Sequence, residues 1–373
     1  MYTNESPEQF DLAVVGAGPA GSLIAALAAE TGFSTVILEQ KSLPRPKPCG
    51  GLISSRALSM LPDDLDLKTE SAEPINTINV FRRNQCFSYY SEISLGLLIK
   101  REQFDHILAR YACQKGAVLL EKHTMHRLQA FHNNYPDDID YCLTAAEAGA
   151  VPITARYVIG ADGAMSRCGL LSGLRKKRGG HTGWGLTEFV KPGNEKIRPG
   201  TLNFYPLPFL GGMGWSFHGS RWINRGVGGV VNSRLLKKAY DHLFPGDKGE
   251  LSPVGWPLPF LGPLKKAGKD NLLLAGDAAG LIEPFSGEGL YNSFKSATLA
   301  FSALLRAEIE KKPAGVIYNQ LYQGHFRKAF FSALAGAILL HSRSAVNPAS
   351  LPCRIARLME NKLWFNQPFN HSL

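Results

Sequence analysis

The chain carries a glycine-rich segment whose spacing is typical of phosphate binding. It has the pattern G-x-G-x-x-G and consists of Gly16, Ala17, Gly18, Pro19, Ala20 and Gly21. In such a pattern the first glycine permits a tight turn, the second lets the backbone approach a pyrophosphate, and the third allows close contact between helix and strand. The helix that follows offers free N–H groups and partial positive charge to phosphates. The segment predicts a dinucleotide site, and the alternative is a glycine-rich turn that only packs.

The elements around this segment strengthen the prediction. It follows a predicted buried strand over 10–15 and opens an alanine-rich helix that runs to about Glu30. A second predicted strand, over 35–39, ends at Glu39. A carboxylate at that position can accept hydrogen bonds from ribose hydroxyls and repels a 2′-phosphate. These residues alone do not distinguish NAD from FAD.

Two later segments make that distinction. The sequence G-A-D-G ends a predicted strand around Asp162, and A-G-D-A-A ends another around Gly276 and Asp277. With these segments the chain resembles FAD-dependent oxidoreductases of the p-hydroxybenzoate hydroxylase fold over about residues 10–310. The resemblance implies that Asp162 lies near the pyrophosphate of FAD, that Asp277 binds its ribityl chain, and that Arg101 lies alongside the cofactor.

A loop after Asp277 leads into the next predicted helix. It contains Pro284, Gly287 and Gly289. We expect the N–H groups at the start of this helix to face the pyrimidine edge of the flavin, which becomes anionic on reduction. A helix N-terminus at that edge stabilises the reduced form.

A narrower resemblance rests on the sequence K-P-C-G-G around Cys49. It is similar to the K-x-C-G-G loop of the geranylgeranyl reductase family, which implies that the loop lies beside the isoalloxazine ring and that Cys49 lines the reaction site. Arg45 and Lys47 are basic neighbours that favour a thiolate, and Gly50 and Gly51 permit close approach to the ring. The alternative is an inert cysteine in a loop that only covers the flavin.

The same family carries an aromatic signature, Y-x-W-x-F-P, on its substrate-binding sheet. This chain keeps Trp215 and Phe217 but has Met213 and His218 where the family has Tyr and Pro. Alternate residues of a strand face the same side, so Trp215 and Phe217 are predicted to line one cavity wall, or else to be sheet core. His218 is a candidate acid–base residue, with a structural histidine as the alternative. The halogenase signature W-x-W-x-I-P is absent.

Three functions are compatible with these residues. The first is an FAD-dependent reductase that transfers hydride from reduced flavin to a bulky apolar or aromatic substrate. The second is a flavin monooxygenase that hydroxylates an aromatic side chain of a partner protein during maturation of a tryptophylquinone cofactor in an amino-acid oxidase. The third is a flavin-binding partner protein without catalysis. No second G-x-G-x-x-G is present, so NAD(P)H, if it is the electron donor, is expected to bind only transiently.

The order of predicted elements indicates an α/β fold with an α+β insert. A Rossmann-like FAD-binding domain is predicted over 1–75, 96–178 and 268–310. Residues 76–95 and 179–267 are predicted to form an antiparallel-sheet substrate domain, because turns and β-formers alternate there. The remaining residues, 311–373, are predicted to be a helical C-terminal region.

Composition excludes several classes of protein. With 373 residues, 45% of them hydrophobic and 19% charged, the chain is not of the disordered type. It has no run of about 18 uncharged apolar residues that could span a membrane. The six cysteines are scattered with no C-x-x-C pair, so no metal site is predicted. The N-terminus lacks a secretory signal pattern, so a cytoplasmic protein is expected.

The formal net charge of +10 is the unusual feature of this composition. Positive charge gathers at 175–178, and an apolar segment at 329–340 is flanked by basic residues. The segment is predicted to be a core helix, with a helix at a membrane surface as the alternative. The basic cluster is either a solvated loop or a docking site for anionic lipid or an acidic partner protein. No nucleic-acid-binding fold accompanies it, so nucleic acid is not an expected partner.

Overall fold

A computed structural model describes residues 7–69, 72–82, 85–132, 139–147, 150–176, 183–193, 197–245, 253–260 and 262–341, with side chains as far as 338. The strands, in chain order, are β1 (Glu8–Val15), β2 (Thr35–Glu39), β3 (Leu52–Ser54), β4 (Glu73–Pro74), β5 (Thr77–Arg82), β6 (Gln85–Tyr90), β7 (Gly96–Leu98), β8 (Val118–Glu121), β9 (Met125–His132), β10 (Ile139–Ala145), β11 (Ile153–Gly160), β12 (Gly183–Val190), β13 (Thr201–Pro206), β14 (Met213–His218), β15 (Ile223–Gly229), β16 (Val254–Leu258), β17 (Gly268–Lys269) and β18 (Leu272–Leu274). The helices are α1 (Pro19–Glu30), α2 (Ser55–Leu58), α3 (Arg101–Gln114), α4 (Arg167–Leu171), α5 (Ser233–Leu243), α6 (Leu290–Glu310) and α7 (Ala314–His341), with a 3₁₀ turn at Gly276–Ala279.

The largest sheet has the order β17-β18-β11-β1-β2-β8, and β9 and β10 extend it beside β11. The strands from β18 to β8 run parallel, which buries both faces and explains their continuous apolar sequences. Val15 pairs with Gly160, and Gly160 pairs with Leu274. The carboxyl ends of β1, β11 and β18 therefore meet at one edge, although they are far apart in the chain. This confirms that the nucleotide-type sheet is interrupted and resumed.

The second sheet has the order β16-β12-β15-β14-β13-β5-β6. Its neighbours are antiparallel except for β13 and β5, which are parallel. The amphipathic helix α5 packs on one of its faces through Leu236 and Tyr240, which are buried. The α/β class with an antiparallel insert is thus the observed architecture.

Some elements were not predicted from the sequence. A small third sheet has the order β3-β7-β4 and is built from very short strands. Helix α5 and strand β9 were also missed. The division into three domains stays a prediction, because contacts across the sheets do not by themselves define independent units.

Helix α7 is anchored on the largest sheet by two tyrosines. The hydroxyl of Tyr318 donates to the carbonyl of Leu274 at 2.9 Å, and that of Tyr322 donates to the carbonyl of Ala279 at 2.8 Å. Farther along, Phe330 is buried while Phe331 is 76% exposed, so the apolar segment has a core-facing side. Among the described helices, none is both long and apolar enough to cross a membrane. Residues 342–373, including Cys353, lie outside the described residues.

Candidate functional site

A cavity of about 550 Å³ is lined by residues from both large sheets. It lies at the carboxyl ends of the parallel strands, where ligands bind in open α/β sheets. The predicted site residues that line it are Gly16, Gly18, Pro19, Ala20, Glu39, Cys49, Gly50, Gly51, Arg101, Asp162, Trp215, Phe217, Gly276, Asp277, Gly287 and Gly289. The predicted residues that are not part of the lining are Gly21, Pro284 and His218.

The glycine-rich turn is fixed by backbone contacts that exclude side chains. Gly16 has φ +104°, and a Cβ there would lie 2.5 Å from the carbonyl oxygen of Ala161. A Cβ at Gly21 would lie 2.0 Å from the carbonyl oxygen of Gly16. A Cβ at Gly18 would meet no atom within 4 Å, and this residue faces the cavity. The turn therefore holds the first N–H groups of α1 open toward a ligand.

Glu39 is buried and held by three partners, one of which is the N–H of Lys41, 3.1 Å from Oε1. Its Oε2 accepts a hydrogen bond from the N–H of Ala17 at 3.0 Å, and Oε1 lies 3.1 Å from Nε of Arg45. Arg45 also contacts Asp105 at 3.2 Å, so it bridges two buried carboxylates. Arg45 is thus engaged away from the thiol that it was expected to activate. The role of Glu39 toward a ribose stays a prediction.

Asp162 fits a cofactor through an unused acceptor. Its Oδ2 accepts from the N–H groups of Arg167 at 2.6 Å and Cys168 at 2.9 Å, which anchors the start of α4. Its Oδ1 is buried and has no hydrogen-bond partner among the described residues. Burial raises the pKa of Asp162, and the hydrogen bonds that it accepts lower it again. An orphaned buried acceptor is costly unless a bound ligand supplies a donor.

Cys49 lies in a loop that contacts the second sheet through Gly50. Its Sγ accepts from the N–H of Gly51 at 3.5 Å. The guanidinium of Arg101 donates to Asp105 at 2.8 Å and lies near enough to Cys49 for the two groups to interact electrostatically. Burial alone would lower the pKa of Arg101, but the charge of Asp105 raises it, so the cation is retained. A Cβ at Gly50 would lie 2.6 Å from the ring of Phe217, so the loop passes directly over the second sheet.

Lys47 occupies the same loop and covers an aromatic ring. Its Nζ lies 4.0 Å from the ring centroid of Trp256, within cation–π range. Burial lowers the pKa of Lys47, while the charge of Asp277 raises it. The loop therefore brings cationic and aromatic groups into one apolar cavity.

Trp215 and Phe217 line the cavity from β14, as alternation along a strand predicts. The indole N–H of Trp215 donates to Oδ1 of Asn224 at 2.7 Å, which fixes the ring. Phe217 packs edge-on against Phe204, with ring centroids 5.3 Å apart. Met213, on the same side of the strand, also lines the cavity. These residues form an apolar, aromatic wall.

His218 was proposed as an acid–base residue, and the structure corrects this. It lies on the opposite face of β14 and is 4% exposed. Its Nε2 is 3.0 Å from Oγ of Ser216 and 3.2 Å from Nδ2 of Asn203. The one-residue offset from Phe217 directs the side chain away from the cavity. His218 is therefore a structural histidine in a buried polar network.

Several cavity residues were missed by sequence reasoning. Ser54 and Glu288 line the wall, and Trp256 and Phe260 line the far side. The position of Glu288 between two predicted glycines was a signal that went unused. Nothing in the local sequence marks Ser54 as a site residue, because its contact with Glu288 joins residues that are 234 positions apart. No group of three or more His, Cys, Asp or Glu that could hold a metal ion occurs in the described part of the chain.

The comparisons with known proteins agree with this geometry. Residues 9–204 match the FAD binding domain family. The chain is 31% identical to digeranylgeranylglycerophospholipid reductase 1 of Methanopyrus kandleri over 339 residues, which covers 86% of this chain and 87% of that protein. It is 29% identical to digeranylgeranylglycerophospholipid reductase 2 of the same organism over 341 residues, 86% of this chain and 83% of that one.

Solved structures show the same fold. The crystal structure of a geranylgeranyl bacteriochlorophyll reductase-like protein from Thermoplasma acidophilum superimposes with a TM-score of 0.80 at 23% identity, covering 96% of this chain and 97% of that one. Halogenase PltM in complex with phloroglucinol and FAD gives a TM-score of 0.68 at 16% identity, covering 89% and 76%. At these identities the likeness concerns the fold alone.

Proposed function

Since the chain belongs to the family of FAD-dependent oxidoreductases that includes the digeranylgeranylglycerophospholipid reductases, we propose that it saturates carbon–carbon double bonds of a bulky isoprenoid substrate. The observation that carries the proposal is that one cavity joins the dinucleotide turn to an aromatic wall. Cys49 lies between these two parts, in a loop that matches the family's K-x-C-G-G pattern.

The residues present fit FAD along the whole cavity. Gly18 and the start of α1 would hold the pyrophosphate, and Asp277 would accept hydrogen bonds from the ribityl chain. The orphaned Oδ1 of Asp162 could accept a hydrogen bond from a hydroxyl of the cofactor. Reduced FAD supplies a hydride to an electron-poor or suitably placed double bond.

The chain's own residues position the substrate and exclude water. Trp215, Phe217 and Leu258 present apolar surface that an isoprenoid chain can cover. Burial of that surface stabilises binding by about 25 cal/mol per Å². Met213, which stands where the family has Tyr, lines this surface and adapts its flexible side chain to the substrate. We therefore propose that Met213 alters which isoprenoid is accepted.

The proposal is tested by single-turnover reduction. The flavin-loaded protein is reduced anaerobically with dithionite and incubated with an isoprenyl diphosphate or an isoprenyl ether lipid. We expect flavin oxidation without oxygen and a product heavier by two hydrogens per double bond in mass spectrometry. Flavin that is reoxidised only by oxygen, with no saturated product, refutes the reductase. A hydroxylated aromatic product in that case supports the monooxygenase alternative. Replacing dithionite by NADPH tests whether a nicotinamide serves as transient donor.

We also propose a peripheral contact with lipid, because an isoprenoid substrate resides in a membrane. Two apolar side chains of α7, Phe331 and Ile338, are 76% and 52% exposed. One residue of the basic cluster at 175–178 is engaged within the protein. Arg175 is directed inward and donates to the carbonyl of Ala164 at 2.8 Å, and 177–178 lie outside the described residues.

Sedimentation with anionic phosphatidylglycerol vesicles tests the lipid contact. The variant Phe331→Ser is expected to reduce the bound fraction several-fold, since burial of one Phe contributes about 1.5–3 kcal/mol. Phe131→Ser, a 40% exposed aromatic on the distant strand β9, is the matched control. Equal sedimentation of both variants and the parent chain refutes the contact at α7.

A further inference from the structure

A cluster of titratable side chains forms part of the cavity wall beside the predicted flavin site. Glu288 and Ser54 both line the cavity, and the Glu288 side chain is 8% exposed. One carboxylate oxygen of Glu288 lies 2.7 Å from Nη2 of Arg56. The other accepts the hydroxyl of Ser54. The carboxylate is therefore inside the wall rather than at the protein surface.

Three elements hold this cluster in place. Ser54 ends β3 and caps α2, where its Oγ accepts from the N–H of Ala57 at 3.2 Å. Arg56 belongs to α2, and its guanidinium lies 3.7 Å from the ring centroid of Tyr291 in α6. Glu288 lies in the loop before α6, next to the N-cap residue Gly289. Ser54 and Arg56 are fixed by their own elements, and their contacts hold the Glu288 carboxylate in place.

A second buried carboxyl lies next to the first. Glu283 accepts from the N–H of Phe285 at 3.2 Å and from the N–H of Ser286 at 2.6 Å. Burial raises the pKa of both Glu283 and Glu288, and the positive charge of Arg56 lowers both pKa values. Two buried carboxylates beside one guanidinium carry a net negative charge when both are ionised. Such a pair retains a proton more readily than an isolated surface carboxylate.

The proton belongs on Glu288 rather than on Glu283. Glu283 uses its oxygens as acceptors for two backbone N–H groups and the Ser286 hydroxyl, so a proton on Glu283 competes with at least one of these hydrogen bonds. Glu288 shares a hydrogen bond with a hydroxyl, and a hydroxyl can either donate or accept. Glu288 can therefore change its protonation state without losing its partner Ser54.

Lys295 of α6 and His325 of α7 lie near Arg56. His325 of α7 is half-buried, and burial lowers its pKa, with further lowering by the charges of Lys295 and Arg56. Burial raises the pKa of Glu288, the charge of Arg56 lowers it, and that of Glu283 raises it. Three groups therefore face Glu288: the carboxyl of Glu283, the guanidinium of Arg56 and the hydroxyl of Ser54. Tyr291, Lys295 and His325 lie around the guanidinium.

We propose that Glu288 takes up a proton from solvent when FAD in the cavity is reduced, and gives it up when the electrons leave. An external two-electron reductant supplies the electrons. The two electrons and one proton together make up the hydride that is later transferred. Glu288 holds a second proton, which balances the added negative charge. When a double bond is saturated, one carbon receives the hydride and the other receives the proton. The proposal rests on the family's cofactor, and only its last step depends on the proposed substrate.

The experiment counts protons without any alkene. Flavin-loaded protein in weakly buffered solution is reduced anaerobically by a photochemical donor in the presence of a pH-indicator dye, and the midpoint potential is measured against pH. We expect the parent chain to take up about two protons per flavin and Glu288→Gln about one, with a shallower dependence of potential on pH. The amide retains the size of the side chain and one acceptor oxygen but cannot take up a proton in this pH range. Equal proton counts and equal slopes overturn the proposal.

Two variants complete the test. Glu310→Gln changes a surface carboxyl at the far end of α6 and is expected to behave as the parent chain. Ser54→Ala leaves Glu288 in place but removes its hydroxyl partner, so the proton uptake is expected to shift to a different pH range. This variant decides the matter if Glu288→Gln does not bind flavin, because an unchanged pH range overturns the proposal. Saturation of an isoprenoid is measured separately, so either proposal can fail while the other holds.

Discussion

The two walls of the cavity are made in different ways. The wall at the edge of the parallel sheet is largely backbone, because Gly16 and Gly21 leave no room for a Cβ. The wall on the antiparallel sheet is side chain, with Trp215 and Phe217 projecting from β14. A backbone surface tolerates almost no substitution, since every added atom moves the main chain. A side-chain surface can change shape while its strand keeps its register.

This difference matches two different ligands. A dinucleotide offers the same phosphates and ribose to every enzyme that binds it, so a fixed backbone surface suits it. Substrates vary, and the antiparallel wall carries the departures from the family pattern, including Met213 in place of Tyr. We therefore expect substitutions in the first wall to abolish cofactor binding and substitutions in the second to change turnover.

The largest effect is expected for Gly21→Val. A Cβ at this position lies 2.0 Å from a backbone oxygen, which forces α1 away from β1. The purified variant should contain no bound flavin by its visible absorbance, or should fail to fold. Gly324→Ala is the control, since a Cβ there meets no atom within 4 Å. It should keep flavin and gain about 1 kcal/mol of stability as a helical alanine. Full flavin content in Gly21→Val would contradict a backbone-built wall.

The second-largest effect is expected for the replacement of Cys49. Cys49→Ala removes the thiol that the N–H of Gly51 contacts, but leaves the glycines of the loop intact. We expect flavin content to stay unchanged and the rate of double-bond saturation to fall at least about tenfold, or about 1.4 kcal/mol in activation free energy. Cys113→Ala, on the exposed side of α3, should have no effect. A rate within about twofold of the parent would instead favour an inert cysteine.

The backbone wall was predictable from the sequence because its determinants are local. The glycine spacing, the flanking strand and Glu39 fall within the first 39 residues. Of the two basic neighbours predicted for Cys49, Lys47 interacts with it electrostatically, whereas Arg45 bridges Glu39 and Asp105. The electrostatic interaction of Arg101 with Cys49 was not predictable, since these residues are far apart in the chain. Tertiary contacts of this kind leave no periodic pattern.

The position of His218 follows from strand alternation. The alternation places Trp215 and Phe217 on one face of β14 and the next residue on the other face. It therefore favours the structural alternative for His218, which does not line the cavity. The pairing of Ser54 with Glu288 is the opposite case, because short strands such as β3 carry too few residues to show any period.

A smaller effect is expected for Trp215→Leu in the side-chain wall. The variant loses aromatic surface and the hydrogen bond to Asn224, whose Oδ1 keeps a second donor in Thr187 at 3.0 Å. Flavin binding should be unchanged, and the Michaelis constant for an isoprenoid should rise by about three- to tenfold, which corresponds to about 1 kcal/mol. Trp184→Leu, 43% exposed on the same sheet, is the control. Loss of flavin from Trp215→Leu would show that the walls are not separable.

The smallest effect is expected for Glu283→Gln, in the loop that follows Asp277. It is measured as a change in the pH dependence of stability. Burial raises the pKa of Glu283, although hydrogen bonds from Ser286 and Phe285 oppose this. Folding then favours the protonated carboxyl, so its contribution is full below the unfolded pKa and is lost as pH rises through the folded pKa. Glu283→Gln stays neutral at every pH.

The melting temperature of Glu283→Gln, measured by calorimetry relative to the parent, should therefore rise as the pH is increased from mildly acidic to neutral. Glu310→Gln provides a control of opposite sign, because hydrogen bonds from Arg306 and Lys312 lower the pKa of Glu310. Its stabilising contribution is fully present above the unfolded pKa and is lost as the pH falls through the folded pKa. The relative melting temperature of Glu310→Gln should therefore stay flat from mildly acidic to neutral pH and rise only at lower pH. A flat relative melting temperature for Glu283→Gln over the same range would mean that burial does not govern the pKa of Glu283.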